Sequence, residues 1–269
     1  MNTKRKIIDV HTHVFPDKIA MHAVENVSNY YGVEMDENGT VDGLFEGALG
    51  LDASFVICNA ATKAENVRHG NDFLFECATR FPTKVVPLGS VHQDMDEKSM
   101  RLELEYIKAK GGKGLKLHPD FQHFKIEDPK MFPIYEAAVE FGLPVLFHVG
   151  DKKTVNSTPK AVRFIADKFP ELEIIAAHMG GWVAWDEAEE YLVGSRVYMD
   201  TSDALLVLSN ERVVDMINRH GADKIMFGSD FPLMSTCKAY NAFEALSLSE
   251  NQKEQIYHLT AEKLFKIDK

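Results

Sequence analysis

The sequence predicts an α/β protein closed as a (β/α)8 TIM barrel. Three observations carry that reading. Eight short apolar runs recur at the spacing of a strand plus a crossover helix, apolar stripes of helical period fill the gaps, and helix breakers stand just upstream of several runs.

The runs are Ile7–His13, Ser54–Ala60, Val85–His92, Gly114–Pro119, Pro144–Gly150, Glu173–Gly180, Val197–Asp203 and Lys224–Pro232. Each is too short for a helix and has a polar or glycine-containing tip, the signature of parallel strands covered on both faces. After the first interval, starts recur at about 24 to 31 residues, close to the ~30 a βα unit needs. In the gaps, Met100, Leu104 and Ile107 form one helical stripe and Val162, Ile165 and Phe169 another. Gly111-Gly112, Gly142, Phe169-Pro170 and Gly221 end helices where the next strand must start. A doubly wound open sheet is disfavoured, because the first strand is followed by His-Thr-His-Val-Phe-Pro and not by a glycine-rich phosphate turn.

A chain of 269 residues suits one such barrel, and no linker or low-complexity tract divides residues 1–269. The long first interval, about 14–53, reads as a helical insertion with one helix at Asp17–Tyr31 and a second from about Val41. An insertion after the first strand lies over the C-terminal mouth, as a lid or substrate wall. The 41 acidic against 30 basic residues give a net charge of −11, which disfavours nucleic acid or an anionic membrane and leaves a small molecule as the expected partner. Cys58, Cys77 and Cys237 are odd in number and scattered, offering neither a disulfide framework nor a CxxC metal knuckle. With no membrane span and no long leader-like apolar run, a cytoplasmic location is expected. Composition leaves a homo-oligomer open.

Polar residues at the tips of buried parallel strands need a reason. His11 and His13 are two apart on the first strand and can share one ion. His148, His178 and Asp230 end the fifth, sixth and eighth runs, and in a closed barrel these tips meet at one mouth. Singly, each has an ordinary explanation; Asp230, for instance, could cap the following helix. Together, imidazoles and a carboxylate suit a borderline divalent ion, most often Zn²⁺, with Mn²⁺, Fe²⁺ or Co²⁺ as replacements.

The segments IIDVHTH, GLKLHP, LPVLFHVG, IIAAHMGG and KIMFGSDFP resemble the amidohydrolase superfamily, in particular its amidohydrolase-2 branch of small metal-dependent hydrolases and decarboxylases. The likeness runs from Ile7 to about Phe265. It implies His11, His13, His148 and Asp230 as metal ligands, and His178 as a group beside the metal that acts on substrate. Lys116 and His118 on the fourth strand are expected to point into the barrel as second-metal or substrate contacts. In binuclear relatives such a lysine becomes a bridging carbamate. The simpler reading is a buried lysine paired with Asp9 or an acid at the mouth, with one ion. The absence of a fourth-strand glutamate and of a late DxH pair separates the chain from related nuclease-like and phosphoesterase groups.

Other residues carry weaker signals. His92, Asp200 and Asp203 could touch substrate or merely cap turns. Trp182 or Trp185 could wall the pocket. Arg68 and Arg196 could bind a substrate carboxylate, with exposed salt bridges as the simpler alternative.

The leading expectation is a hydrolase of a small lactone, ester or amide. A bound cation lowers the pKa of its water from ~15.7 towards ~7, Asp230 moves the proton, and His178 supports the developing oxyanion. The alternative keeps the site and changes the reaction, to nonoxidative decarboxylation of a small aromatic or unsaturated acid. A non-catalytic barrel retaining its metal is the third reading.

Overall fold

Strands form at all eight apolar runs, although most keep only a short ladder. A computed structural model describes residues 5–267. Its strands are β1 (Lys6–His13), β2 (Asp52–Cys58), β3 (Val85–Pro87), β4 (Leu115–Leu117), β5 (Val145–Phe147), β6 (Ile174–Ala176), β7 (Tyr198–Asp200) and β8 (Ile225–Met226). All pairings are parallel, in the orders β1-β2-β3 and β4-β5-β6-β7-β8.

Two narrow seams join these arcs into a ring. Between β3 and β4, Gly89 bridges Leu115, and the Lys116 amide donates to Gly89 O at 2.8 Å. A Cβ on Gly89 would lie 2.5 Å from Ile107 Cδ1, so glycine lets the strand end pass close under its crossover helix. Between β8 and β1, Val10 N donates to Phe227 O at 2.9 Å and His13 N to Phe231 O at 2.7 Å. The result is the (β/α)8 barrel.

The crossover segments run in chain order. They are α1 (Asp17–Tyr31) and α2 (Val41–Glu46) after β1, α3 (Val67–Arg80) after β2, and α4 (Glu97–Ala109) after β3. A short α5 (Pro119–Gln122) and α6 (Phe132–Phe141) follow β4, α7 (Pro159–Lys168) follows β5, and α8 (Trp185–Tyr191) follows β6. Next come α9 (Ala204–Val207) and α10 (Asn210–His220) after β7, then α11 (Thr236–Glu244), α12 (Glu250–Glu254) and α13 (Thr260–Phe265) after β8. Asp96, Thr158, Ser209 and Ser235 cap α4, α7, α10 and α11 through their side chains.

Strand residues alternate between two apolar clusters. Leu115, Leu117, Val145, Phe147, Ile174 and Ala176 pack with Leu104, Ile107, Val162 and Ile165 of the helices. The intervening Val56, Leu146 and Ile175 join Ile8, Val10 and Met226 in a second cluster, with Phe265 of α13. Lys116 lies between the two outward leucines and is fully buried inside the barrel, as the alternation predicts. On β1 the register slips between Asp9 and Thr12. His11 and His13, two apart on this strand, point to the same place. No helix among the described residues is long and apolar enough to cross a membrane.

Candidate active site

His11, His13 and Asp230 converge although they come from opposite ends of the chain. His11 Nε2 and His13 Nε2 are 3.2 Å apart, and Asp230 Oδ1 lies 3.2 Å from the first and 3.4 Å from the second. Donors each ~2.0–2.2 Å from one cation would stand about this far from one another. His11 is fully buried, while His13 and Asp230 each keep 19 % of their side chains open, so the cluster faces a cavity on one side only. The donor set suits a divalent metal.

Neighbouring groups fix the tautomer of His11. Its Nδ1 donates to Asp200 Oδ2 at 3.1 Å, leaving the Nε2 lone pair for the cluster, as a carboxylate behind a metal-binding imidazole does. The other Asp200 oxygen accepts from the amides of His178 and Ser202, both at 3.1 Å, and from the Ser202 hydroxyl. Burial holds His11 well below the usual imidazole pKa, and Lys116 adds to this.

The expected pairing of Lys116 with Asp9 is corrected. Asp9 is engaged by the Ser229 amide at 3.0 Å and the Thr236 hydroxyl at 2.8 Å. Lys116 Nζ instead donates to His11 Nε2 at 2.9 Å, which places a positive charge against the donor cluster.

His148 and His178 form a second layer at the same mouth. His148 Nε2 lies 2.8 Å from Gly150 O, so it carries a proton, and Nδ1 is left as the acceptor facing His178 Nε2 at 3.0 Å. His148 therefore stands beside the three converging donors and not among them. His178 Nδ1 reaches Ser202 Oγ at 2.8 Å and Asp203 Oδ2 at 3.3 Å. Burial keeps both imidazoles well below their ordinary pKa. Asp203 is pushed well above the carboxylate range by burial, then by Asp230 and Asp200. His178, Asp203 and Asp230 all adopt left-handed φ, at 61°, 57° and 56°. Such strain in non-glycine residues collects at functional sites.

The insertion supplies a residue that the strand-tip pattern did not identify. Tyr31, the last residue of α1, places its hydroxyl 3.1 Å from His118 Nε2 and 3.2 Å from His148 Nε2. His118 Nδ1 accepts from the Phe121 amide, so its Nε2 also carries a proton. His118 Nε2–H thus donates to the Tyr31 hydroxyl oxygen, while the one His148 Nε2 proton is shared between Gly150 O and that oxygen. His118 lies between Phe121 and His148, stacked at 4.0 and 4.1 Å.

The cavity above the donors measures about 1020 Å³ and is walled by α1, α3 and the loops after β4 to β8. Trp182 lines it edge-on to Tyr31, whereas Trp185 binds His178 O through its indole N–H. Arg68 is committed to Glu103, and Arg196 caps the carbonyls of Ala166, Phe169 and Leu172. His69 and His123 also border the cavity, and His92 lines a smaller neighbouring pocket.

A family model described as amidohydrolase matches residues 8–267. The chain belongs to the amidohydrolase family. This amidohydrolase is 22% identical to a gamma-resorcylate decarboxylase of Polaromonas sp. strain JS666, over 87% of this chain and 86% of the relative. Its fold matches 5-carboxyvanillate decarboxylase of Sphingomonas paucimobilis with a TM-score of 0.75, at 17% identity over 98% of this chain and all of that one. It also matches a dihydroxybenzoic acid decarboxylase of Polaromonas sp. JS666, solved with manganese and 2-nitroresorcinol, with a TM-score of 0.67 at 18% identity over 98% of each chain. These relatives correct the expectation of a lactone, ester or amide hydrolase: all three are decarboxylases. Strand-tip ligands do not discriminate between the two reactions. The side chains gathered at the mouth could hold a divalent metal, but the preference for zinc finds no support in a neighbour that carries manganese.

Proposed function

We propose that this protein is a divalent-metal-dependent, nonoxidative decarboxylase of an aromatic carboxylic acid. The carrying observation is the convergence of His11, His13 and Asp230 on the floor of a deep cavity walled largely by apolar and aromatic side chains. The decarboxylase relatives support the same reading. One ion would be held by His11 Nε2, His13 Nε2 and Asp230, with His148 standing beside them. Manganese and zinc both suit this nitrogen and oxygen set. When bound, the cation supplies a Lewis acid on which a carboxylate and a neighbouring hydroxyl can be anchored.

The chain's own residues then manage one proton and one desolvated charge. Asp230, whose pKa is, despite burial, lowered by His11 and His13, takes a proton only in transit and delivers it to the ring carbon bearing the carboxylate. The bond to CO₂ breaks, its electron pair returns to the ring, and the product keeps the delivered hydrogen. Asp203, whose donor oxygen lies within 4.8 Å of that of Asp230, resupplies the proton. His178, fully buried with both ring nitrogens engaged, positions His148 and Asp203 behind the mouth. Apolar walls exclude water, and a carboxylate poorly solvated there gains by leaving as neutral CO₂.

The test is a panel of hydroxyaryl acids with metal-loaded protein, scored by headspace CO₂ and by deuterium entering the vacated ring position in D₂O. Release of CO₂ with deuterium at that carbon is expected, along with a loss of at least about 1000-fold in Asp230→Asn. Silence across the panel with manganese and with zinc would overturn the proposal.

A further inference from the structure

The cavity is far larger and more apolar than a single-ring acid requires. Its volume of about 1020 Å³ is at the upper end of the ~300–1,000 Å³ that accommodates drug-sized ligands. One wall is a continuous apolar strip: Ile19, Ala23, Val27 and Tyr31 step by four along α1, and all border the cavity. Ile19 is 52 % exposed, so much of an isoleucine side chain is left uncovered. Val67 and Phe73 of α3 line the cavity as well. An uncovered apolar wall facing a functional cavity is a surface for ligand carbon.

Charge on the lining points the same way. Asp120, Asp203 and Asp230 border the cavity, and among the described lining residues the only lysine or arginine is Lys153. Lys153 donates to Tyr30 O and sits 4.1 Å over the Tyr30 ring. Lys116 is turned onto His11 at the floor. A first carboxylate is matched at the metal centre, whereas a second one further up would meet apolar walls and neutral polar groups, with no unengaged lysine or arginine to pair with.

We infer that the site selects a hydrophobic aromatic monocarboxylate of bicyclic or alkyl-extended size, its carbon body seated along α1, and discriminates against single-ring dicarboxylates. This inference rests on the proposed decarboxylase reading for the position of the carboxylate, but its size and charge arguments concern binding alone. Burying each further methylene is worth roughly fourfold in affinity, so a fused second ring should gain tenfold or more.

The experiment is isothermal titration calorimetry on manganese-loaded protein with 2-hydroxybenzoate, 1-hydroxy-2-naphthoate and 4-hydroxyisophthalate. The naphthoate should bind at least about tenfold tighter than 2-hydroxybenzoate, and the isophthalate more weakly than either. Ile19→Asn, at a half-exposed position that tolerates a polar group, should cut the naphthoate advantage severalfold. Equal affinity for one and two rings, or an isophthalate that binds as tightly as 2-hydroxybenzoate, would overturn the inference. Tight naphthoate binding without CO₂ release would leave it standing and sink the reaction instead.

Discussion

Asp200 accepts a hydrogen bond from His11 Nδ1 at 3.1 Å and thereby decides which nitrogen of His11 faces the metal centre. The same carboxylate anchors the amides of His178 and Ser202, so it ties His11 to the buried His178 layer behind the mouth. Asp200→Asn keeps the shape but weakens the charge that orients the imidazole. Metal affinity should fall by about 10- to 100-fold, read by competition with a chromophoric chelator. An unchanged dissociation constant would mean that His11 needs no such support.

Tyr31 tests the role of the insertion. Its ring packs edge-on to Trp182 at a centroid distance of 4.9 Å, and Phe retains that packing while removing the hydroxyl shared by His118 and His148. Tyr31→Phe should lower kcat/KM about tenfold, the cost of one or two lost hydrogen bonds, with little change in Tm. Full activity would reduce α1 to a passive wall.

Gly150 shows how tightly the fifth and sixth strand tips are joined. Its φ is 87°, and a Cβ there would lie 2.1 Å from Trp182 O. Gly150→Ala combines left-handed strain with a backbone clash that no side-chain rotation relieves. A loss of about 3 kcal/mol is expected, seen as a fall of roughly 5–10 °C in Tm. A variant melting with the parent would show that the two loops can separate freely.

His220, remote from the metal centre, gives a stability signal with a defined sign. Burial lowers its pKa from 6.5 to about 4, and the neutral ring accepts from Gly194 N through Nδ1 and donates to Val197 O through Nε2. Between these values the unfolded chain binds the extra proton. The contribution is therefore fully present above about pH 6.5 and is lost as pH falls towards 4, up to on the order of 3 kcal/mol. His220→Gln cannot titrate, so the stability gap between parent and variant should shrink from pH 7.5 to pH 5, measured by urea midpoints. A gap that widens on acidification would contradict the assignment.

Much of the barrel was legible because burial on both faces writes parallel strands as short apolar runs, and the predicted Asp17–Tyr31 helix is α1 to the residue. The convergence of His11, His13 and Asp230 was legible too, since strand ends in a closed barrel share one rim. Three features were not. The partner of Lys116 is His11 and not Asp9, a choice that alternation cannot foresee because both are buried on β1. Asp200 looked like any strand-end acid, because the imidazole it orients lies 189 residues away. Tyr31 joined the site through the path of a long insertion, and only its place at the end of a helix over the mouth hinted at contact. The reaction itself was misjudged, since hydrolysis and decarboxylation can use the same ligands, and the difference lies in what the cavity holds above them.

The most direct test of the account is an anomalous difference map collected at the manganese edge from crystals of the metal-loaded protein. It should show one ion bonded to His11 Nε2, His13 Nε2 and Asp230, opening onto the cavity under Tyr31. A peak away from these three side chains, or a second ion bridged by a modified Lys116, would contradict it.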